Sequence, residues 1–118
     1  MKQSAISPEL VKSIPLFSGL TEQERDGLLK EGRIRSWRRG QLLFRCGDAV
    51  ACFYLVTAGV VQLYRENPHG KQKTLDVLEP GQTLCADEIM DACRTHRANA
   101  LAMEDTVAME FTQAWLKD

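Results

Sequence analysis

Between Gly81 and Ala102 the chain sets Cys85, Asp87, Glu88, Asp91, Cys93, Arg94, His96 and Arg97 in close succession, with Asn99 just beyond. Thiol, carboxylate, imidazole and guanidinium groups are the types that orient a ligand by charge and hydrogen bonding. The interval is the one long stretch without strand-like alternation, and a polar insertion held between strands commonly supplies the few convergent polar groups that fix a ligand in an otherwise apolar cavity. Cys85, Asp87, Glu88, His96, Arg97 and Asn99 are therefore the candidate ligand-binding residues. The plainer reading is a solvated surface loop. Other chemistries find little support. The four cysteines, at 46, 52, 85 and 93, form no Cys-x-x-Cys pair, so neither a zinc knuckle nor a thioredoxin-type redox motif is indicated. Two histidines, His69 and His96, are too few for a cupin-type metal enzyme, and no Ser-His-Asp arrangement stands out. The expectation is a domain that is not an enzyme.

A chain of 118 residues holds one domain with a real core. Its net charge of -1 and pI near 6.1 leave no electrostatic footprint for nucleic acid, because DNA binding rests on clustered Lys and Arg. Five arginines between Arg33 and Arg45 read as the solvated face of alternating strands. The start of the chain lacks an apolar run suited to a signal peptide, and the run from Ala49 to Val56 is far short of the ~20 residues that span a bilayer. A cytoplasmic protein with reduced thiols and no membrane partner is expected.

The elements that must position the polar interval follow from local signals. Ser7-Pro8 with Leu10, Val11 and Ile14 predicts a first helix. Thr21-Glu22-Gln23-Glu24 is a capping box for a second, running to about Glu31, with Leu28 and Leu29 facing the sheet and Gly32 as a left-handed stop. Beyond it, glycines at 40, 47, 59, 70 and 81 separate β-rich runs over 33–37, 41–45, 52–56, 60–65, 71–78, 82–85, 99–103 and 106–111, a rhythm of short antiparallel strands in a sandwich or barrel. Alternation puts Val61, Leu63, Leu75 and Val77 on a buried face and Gln62, Tyr64, Lys73 and Asp76 on a wetter one. Residues 66–70 read as a hairpin loop. From Thr112, with Trp115-Leu116, a further helix begins.

Helices over about 7–31, a glycine-punctuated β-roll over about 33–111 and a helix start over 112–118 resemble the cyclic-nucleotide-binding sensor domain of Crp/Fnr transcription regulators. The resemblance covers roughly Ile14 to Leu116. It is carried by Pro15-Leu16-Phe17-Ser18-Gly19-Leu20, by Gly40 with Leu43-Phe44 and Gly47-Asp48, and by Phe53-Tyr54-Leu55-Val56 with Gly59. Val61-Gln62-Leu63-Tyr64-Arg65, the Gly70 hairpin, Leu78 with Pro80-Gly81, and Ala102-Met103-Glu104-Asp105-Thr106 complete it. It implies a mainly β fold, a double-stranded β-helix or jelly roll, that senses a small-molecule effector for a homodimeric protein. It also implies that DNA is read only through a C-terminal domain not present in this chain. The alternative is a true cyclic-nucleotide-binding module of a regulator, channel or kinase.

The nucleotide cassette implied by the resemblance departs from the family's pattern. That cassette carries a Gly-Glu pair, whose carboxylate takes a ribose hydroxyl, and later an Arg-Ser pair that holds the cyclic phosphate. Laid without gaps from Pro80-Gly81 to Ala102, these four positions fall on Cys85, Ala86, His96 and Arg97, and none matches. Deleting one residue before Ala102 lets Asp87-Glu88-Ile89 stand for Gly-Glu-Leu and Arg97-Ala98 for Arg-Ser. Acids at Asp87, Glu88 and Asp91 repel a phosphate unless they point away, so cyclic AMP is the less favoured effector. The carbon monoxide sensors of the family resemble this chain in placing a Cys at the position of Cys85, which implies haem as a possible cofactor, with Cys85 and His96 as the axial candidates. A buried small hydrophobe is the plainer role for Cys85, and a loop histidine for His96. No run of cysteines precedes Cys46, which argues against the iron–sulfur sensing also found in the family.

Overall fold

A computed structural model describes residues 21–112. The helix expected over 7–14, the facing of the Leu28 and Leu29 side chains, and the helix expected from Thr112, beyond Thr112 itself, lie outside the described residues. Helix α1 (Glu22–Glu31) is opened by the capping box read from the sequence: the Thr21 amide donates to Glu24 Oε1 at 2.9 Å, and the Glu24 amide donates to Thr21 Oγ1 at 3.1 Å. Eight strands follow, β1 (Arg33–Trp37), β2 (Leu42–Phe44), β3 (Cys52–Ala58), β4 (Val61–Glu66), β5 (Gln72–Leu78), β6 (Thr83–Leu84), β7 (Asn99–Ala102) and β8 (Thr106–Thr112), with a short helix α2 (Ala86–Met90) between β6 and β7. They form two four-stranded sheets, ordered β1-β8-β3-β6 and β2-β7-β4-β5, in which every pairing is antiparallel. The chain changes sheet at nearly every connection, which is the roll expected from the sequence.

Phe53, Leu55, Val56, Val61, Leu84, Ala100 and Phe111 lie between the sheets with almost no exposure. Trp37, Ala102 and Ala108 make a second cluster, where Trp37 meets Tyr54 edge-on. The β4–β5 hairpin is set by Asn67, whose Oδ1 accepts from the amides of His69 and Lys71, each at 2.9 Å. Such a local side-chain bond does the work of a backbone turn.

Three expectations are corrected. Gly32 is not a left-handed stop: its φ is not positive, and it is small because a Cβ there would lie 2.6 Å from Met109 Cε and from Phe111 Cε1. Leu75 and Val77 face solvent at 48% and 46% exposure, while Tyr64 is buried. The cause is register. Val61 pairs with Leu78 and Leu63 with Asp76, but Tyr64 pairs with Thr74, so Leu75 is left over as a bulge residue. In β5 the inward phase thus belongs to Leu78 rather than to Val77 and Leu75, because a slip of one residue moves a strand's apolar set to the other face. Thirdly, Cys85 does not extend β6 but turns out of it into α2.

Gly59 is the position where the fold leaves no alternative. Its φ is +92°, and a Cβ would meet the carbonyl oxygen of Asp105 and Oγ1 of Thr106 at 2.5 Å and the Thr106 Cα at 2.6 Å. Two of these are backbone atoms that cannot swing aside. Gly59→Ala is expected to cost about 2–3 kcal/mol from the left-handed backbone and the clash together. Chemical denaturation checks it, and an unchanged midpoint would contradict the turn geometry.

Candidate functional site

The polar interval is built around α2, a helix of five residues bracketed by two left-handed residues that are not glycine, Cys85 (φ 75°) and Ala92 (φ 59°). Leaving β6, the chain reverses at Cys85, whose carbonyl accepts from the Ile89 amide at 3.1 Å. At the other end the Cys93 amide donates to the Glu88 carbonyl at 2.8 Å and the Ala92 amide to that of Ile89 at 3.0 Å. This paired closure is a Schellman motif. Ala86, Glu88 and Ile89 turn inward, and Asp87, Met90 and Asp91 outward.

The return segment is fixed by pairing with the loop after β2. Val50 donates to the Arg94 carbonyl at 3.0 Å, His96 to that of Asp48 at 2.8 Å, and Gly47 to that of His96 at 2.9 Å, with a bridge between Ala49 and Thr95. His96 is thereby held by its backbone on both sides. Its ring stacks on Phe44 with centroids 3.6 Å apart and planes 13° from parallel. Phe44 was not among the sequence candidates. Nothing in its spacing links it to His96; the two meet because the loops at 45–50 and 94–96 zip together.

Three side chains converge beneath this stack. His96 Nδ1 lies 2.8 Å from Glu88 Oε1 and 3.6 Å from Cys85 Sγ, and all three residues are buried. A carboxylate only accepts, so the short contact places the proton on Nδ1. Glu88 Oε2 accepts from the Arg97 amide at 2.6 Å. Burial above all, and then the negative charges of Glu88 and Asp87, push the Cys85 thiol far up from its ordinary value. It stays protonated and is a poor nucleophile. Alkylation of the native protein with iodoacetamide is therefore expected to reach exposed Cys46 first and leave Cys85 to the last; mass mapping with Cys85 labelled as fast as Cys46 would contradict the packing.

The remaining candidates divide. Arg97 is half-exposed and engaged by acids: its guanidinium nitrogens stand 3.3 Å from Asp87, 3.8 Å from Asp91 and 3.8 Å from Glu88. Asn99 has a structural role, its Oδ1 accepting from the Cys46 amide at 2.9 Å and its Nδ2 donating to the Tyr64 carbonyl at 3.4 Å. The expected arginine face is solvated throughout, and Arg35, itself exposed, pairs with Glu110 at 2.6 Å.

Haem does not fit the Cys85–His96 pair as placed. Donors on opposite faces of a porphyrin are separated by two metal–ligand bonds end to end, about 4.3 Å for sulfur and nitrogen. Here they are 3.6 Å apart on one side, with Phe44 covering the imidazole face.

The family described as "Cyclic nucleotide-binding domain" matches residues 34–118. Among curated proteins, the cyclic AMP receptor protein of Thermus thermophilus is 35% identical over 96 residues, covering 81% of this chain and 44% of the relative. The chain thus spans less than half of that relative's length. Among solved structures, the sensor domain of the transcriptional regulator DNR from Pseudomonas aeruginosa superposes with a TM-score of 0.85 at 26% identity, covering 92% of this chain and 73% of that one. The catabolite activator protein of Thermus thermophilus does so with a TM-score of 0.76 at 32% identity, covering 87% and 48%. With the two-sheet roll, the helix inserted between β6 and β7 and these matches in hand, the chain belongs to the cyclic nucleotide-binding domain family and stands close to the sensor domains of Crp/Fnr-type transcription regulators.

Proposed function

We propose that this chain is the effector-sensing, non-catalytic domain of a Crp/Fnr-like regulator working in the cytoplasm, and that its effector is a small ligand other than cyclic AMP. One observation carries the effector part. The acid and base that could hold a cyclic nucleotide are already engaged with each other and with their neighbours: Glu88 with His96 and the Arg97 amide, the Arg97 side chain with Asp87 and Asp91. The backbone supports the ungapped register as well. Cys85 has the left-handed φ that glycine adopts most readily, as a residue standing at the family's Gly would. Ala86 then replaces the ribose-binding Glu, and His96-Arg97 the Arg-Ser pair. In this reading the DNA-reading and dimerisation elements belong to parts of a longer protein outside these 118 residues.

A second reading, a working cyclic AMP site, is favoured by the 35% identity to the Thermus cyclic AMP receptor protein and by Arg97 lying 3.8 Å from Glu88. Melting curves separate the two. A ligand present at a hundred times its Kd adds about 2.7 kcal/mol of stability, so an unchanged Tm in millimolar cyclic AMP is expected, and a clear rise would favour the second reading. For the DNA part, the isolated chain is expected to give no electrophoretic shift of promoter fragments at moderate salt. A shift abolished by neutralising Arg35 and Arg38 would overturn it.

A further inference from the structure

We propose that Cys85, Glu88 and His96 form a binding site for one divalent transition-metal ion of the zinc class, held by Sγ, a carboxylate oxygen and Nδ1. The three donor atoms all lie within 4.8 Å of one another, and the three residues are all buried. The inference stands on these side chains and holds whether or not the domain serves a regulator.

The geometry is close to what an ion requires. Metal–sulfur and metal–nitrogen bonds of about 2.3 and 2.0 Å meeting at a tetrahedral angle put the two donors about 3.5 Å apart; Sγ and Nδ1 stand at 3.6 Å. The nitrogen and oxygen donors of such an ion are about 3.3 Å apart, so the 2.8 Å contact between His96 and Glu88 opens by about half an ångström as the ion replaces the shared proton. The support around the donors is already built. His96 is pinned through its backbone to Gly47 and Asp48 and through its ring to Phe44. The second oxygen of Glu88 is held by the Arg97 amide, the kind of outer partner that orients a ligating carboxylate. Cys85 reaches the cluster from a left-handed backbone, a conformation that costs a non-glycine residue about 1–2 kcal/mol and that aims its sulfur at the other two donors.

Charge and donor type select the ion. A thiolate and a carboxylate neutralise a divalent cation, so the loaded cluster carries no net charge into the interior. The thiol proton leaves to solvent, and the imidazole gives up its Nδ1 proton and carries one on Nε2 instead, which keeps it neutral. Thiolate and imidazole favour zinc-class ions over magnesium or calcium, which take oxygen donors. The side chains of Asp87 and Asp91, 78% and 64% exposed, flank the site on the solvent side of α2 and attract a cation toward it. Three protein donors leave one position of a tetrahedral ion for water or a small exogenous ligand, as in metal sites that react or exchange rather than merely brace a fold.

Cobalt(II) titration of the purified chain, freed of metal by a chelator, tests the site directly. The expected result is saturation at one equivalent with intense tetrahedral d–d bands and a thiolate-to-cobalt charge-transfer band, both displaced by zinc. Cys85→Ala, a small buried replacement, is expected to abolish the charge-transfer band while the far-ultraviolet circular dichroism is unchanged. Losing an outer partner alone typically costs about 10–100-fold in metal affinity, so Glu88→Gln is expected to weaken cobalt binding by about 100-fold or more. Cys46→Ser and Cys93→Ala should leave the spectrum as it was. Weak octahedral bands without charge transfer, or a charge-transfer band that survives Cys85→Ala, would overturn the proposal.

Discussion

Glu88→Ala is expected to lower the free energy of unfolding by about 2–6 kcal/mol, the cost of leaving two buried donors without their acceptor. The residue is buried and its two oxygens serve two donors, His96 Nδ1 at 2.8 Å and the Arg97 amide at 2.6 Å. Truncation leaves both without an acceptor in a place that solvent does not readily reach, and each such orphan costs about 1–3 kcal/mol. Arg97 is affected less, because it is half-exposed and keeps Asp87 and Asp91. For a domain of this size each kcal/mol moves Tm by about 4 °C or more, so a fall on the order of 15 °C is expected. Glu88→Gln retains an acceptor for the Arg97 amide and should fall less. A Glu88→Ala protein melting within a few degrees of the wild type would mean that the cluster is open to water.

Much of the scaffold was legible because its signals are local. The Thr21–Glu24 capping box involves residues three apart and is found as read, and the Asn67–Gly70 hairpin is closed by Asn67 itself. Where a pairing partner decides the outcome, the reading failed. The alternation in β4 and in β5 does not fix their mutual register, and since Val61 meets Leu78 and Gln62 meets Val77, the pattern alone puts Leu75 and Val77 on the wrong face. Gly32 carries a turn residue's signature, but its smallness answers to Met109 and Phe111, far along the chain on β8. The site shows the same division. Residue types alone marked out Cys85, Glu88 and His96, which do converge, and Asn99, which instead braces Cys46 and Tyr64. The stacking of Phe44 and the short helix over 86–90 depend on non-local pairing and on two left-handed residues that no periodicity announces.

Cyclic AMP is expected to bind this chain at least about 100-fold more weakly than a member of the family with an intact cassette. Each charge-assisted contact is worth about 1.5–3 kcal/mol, and two are missing in the ungapped register, which amounts to about 3–6 kcal/mol, or roughly two to four orders of magnitude. In the shifted register the contacts exist on paper only, since Glu88 is buried against His96 and Arg97 is surrounded by carboxylates. A nucleotide would have to break these pairs before making its own. It would also bring a phosphate next to Asp87 and Asp91, whose charges oppose it.

Isothermal calorimetry of cyclic AMP titrated into the chain, with Glu88→Gln and Arg97→Ala run alongside, tests the central claim that the cassette is closed on itself. The account predicts no saturable heat at micromolar concentrations in any of the three proteins. Micromolar binding to the wild type, weakened in both variants, would contradict it and show that Glu88 and Arg97 leave their partners to hold the nucleotide.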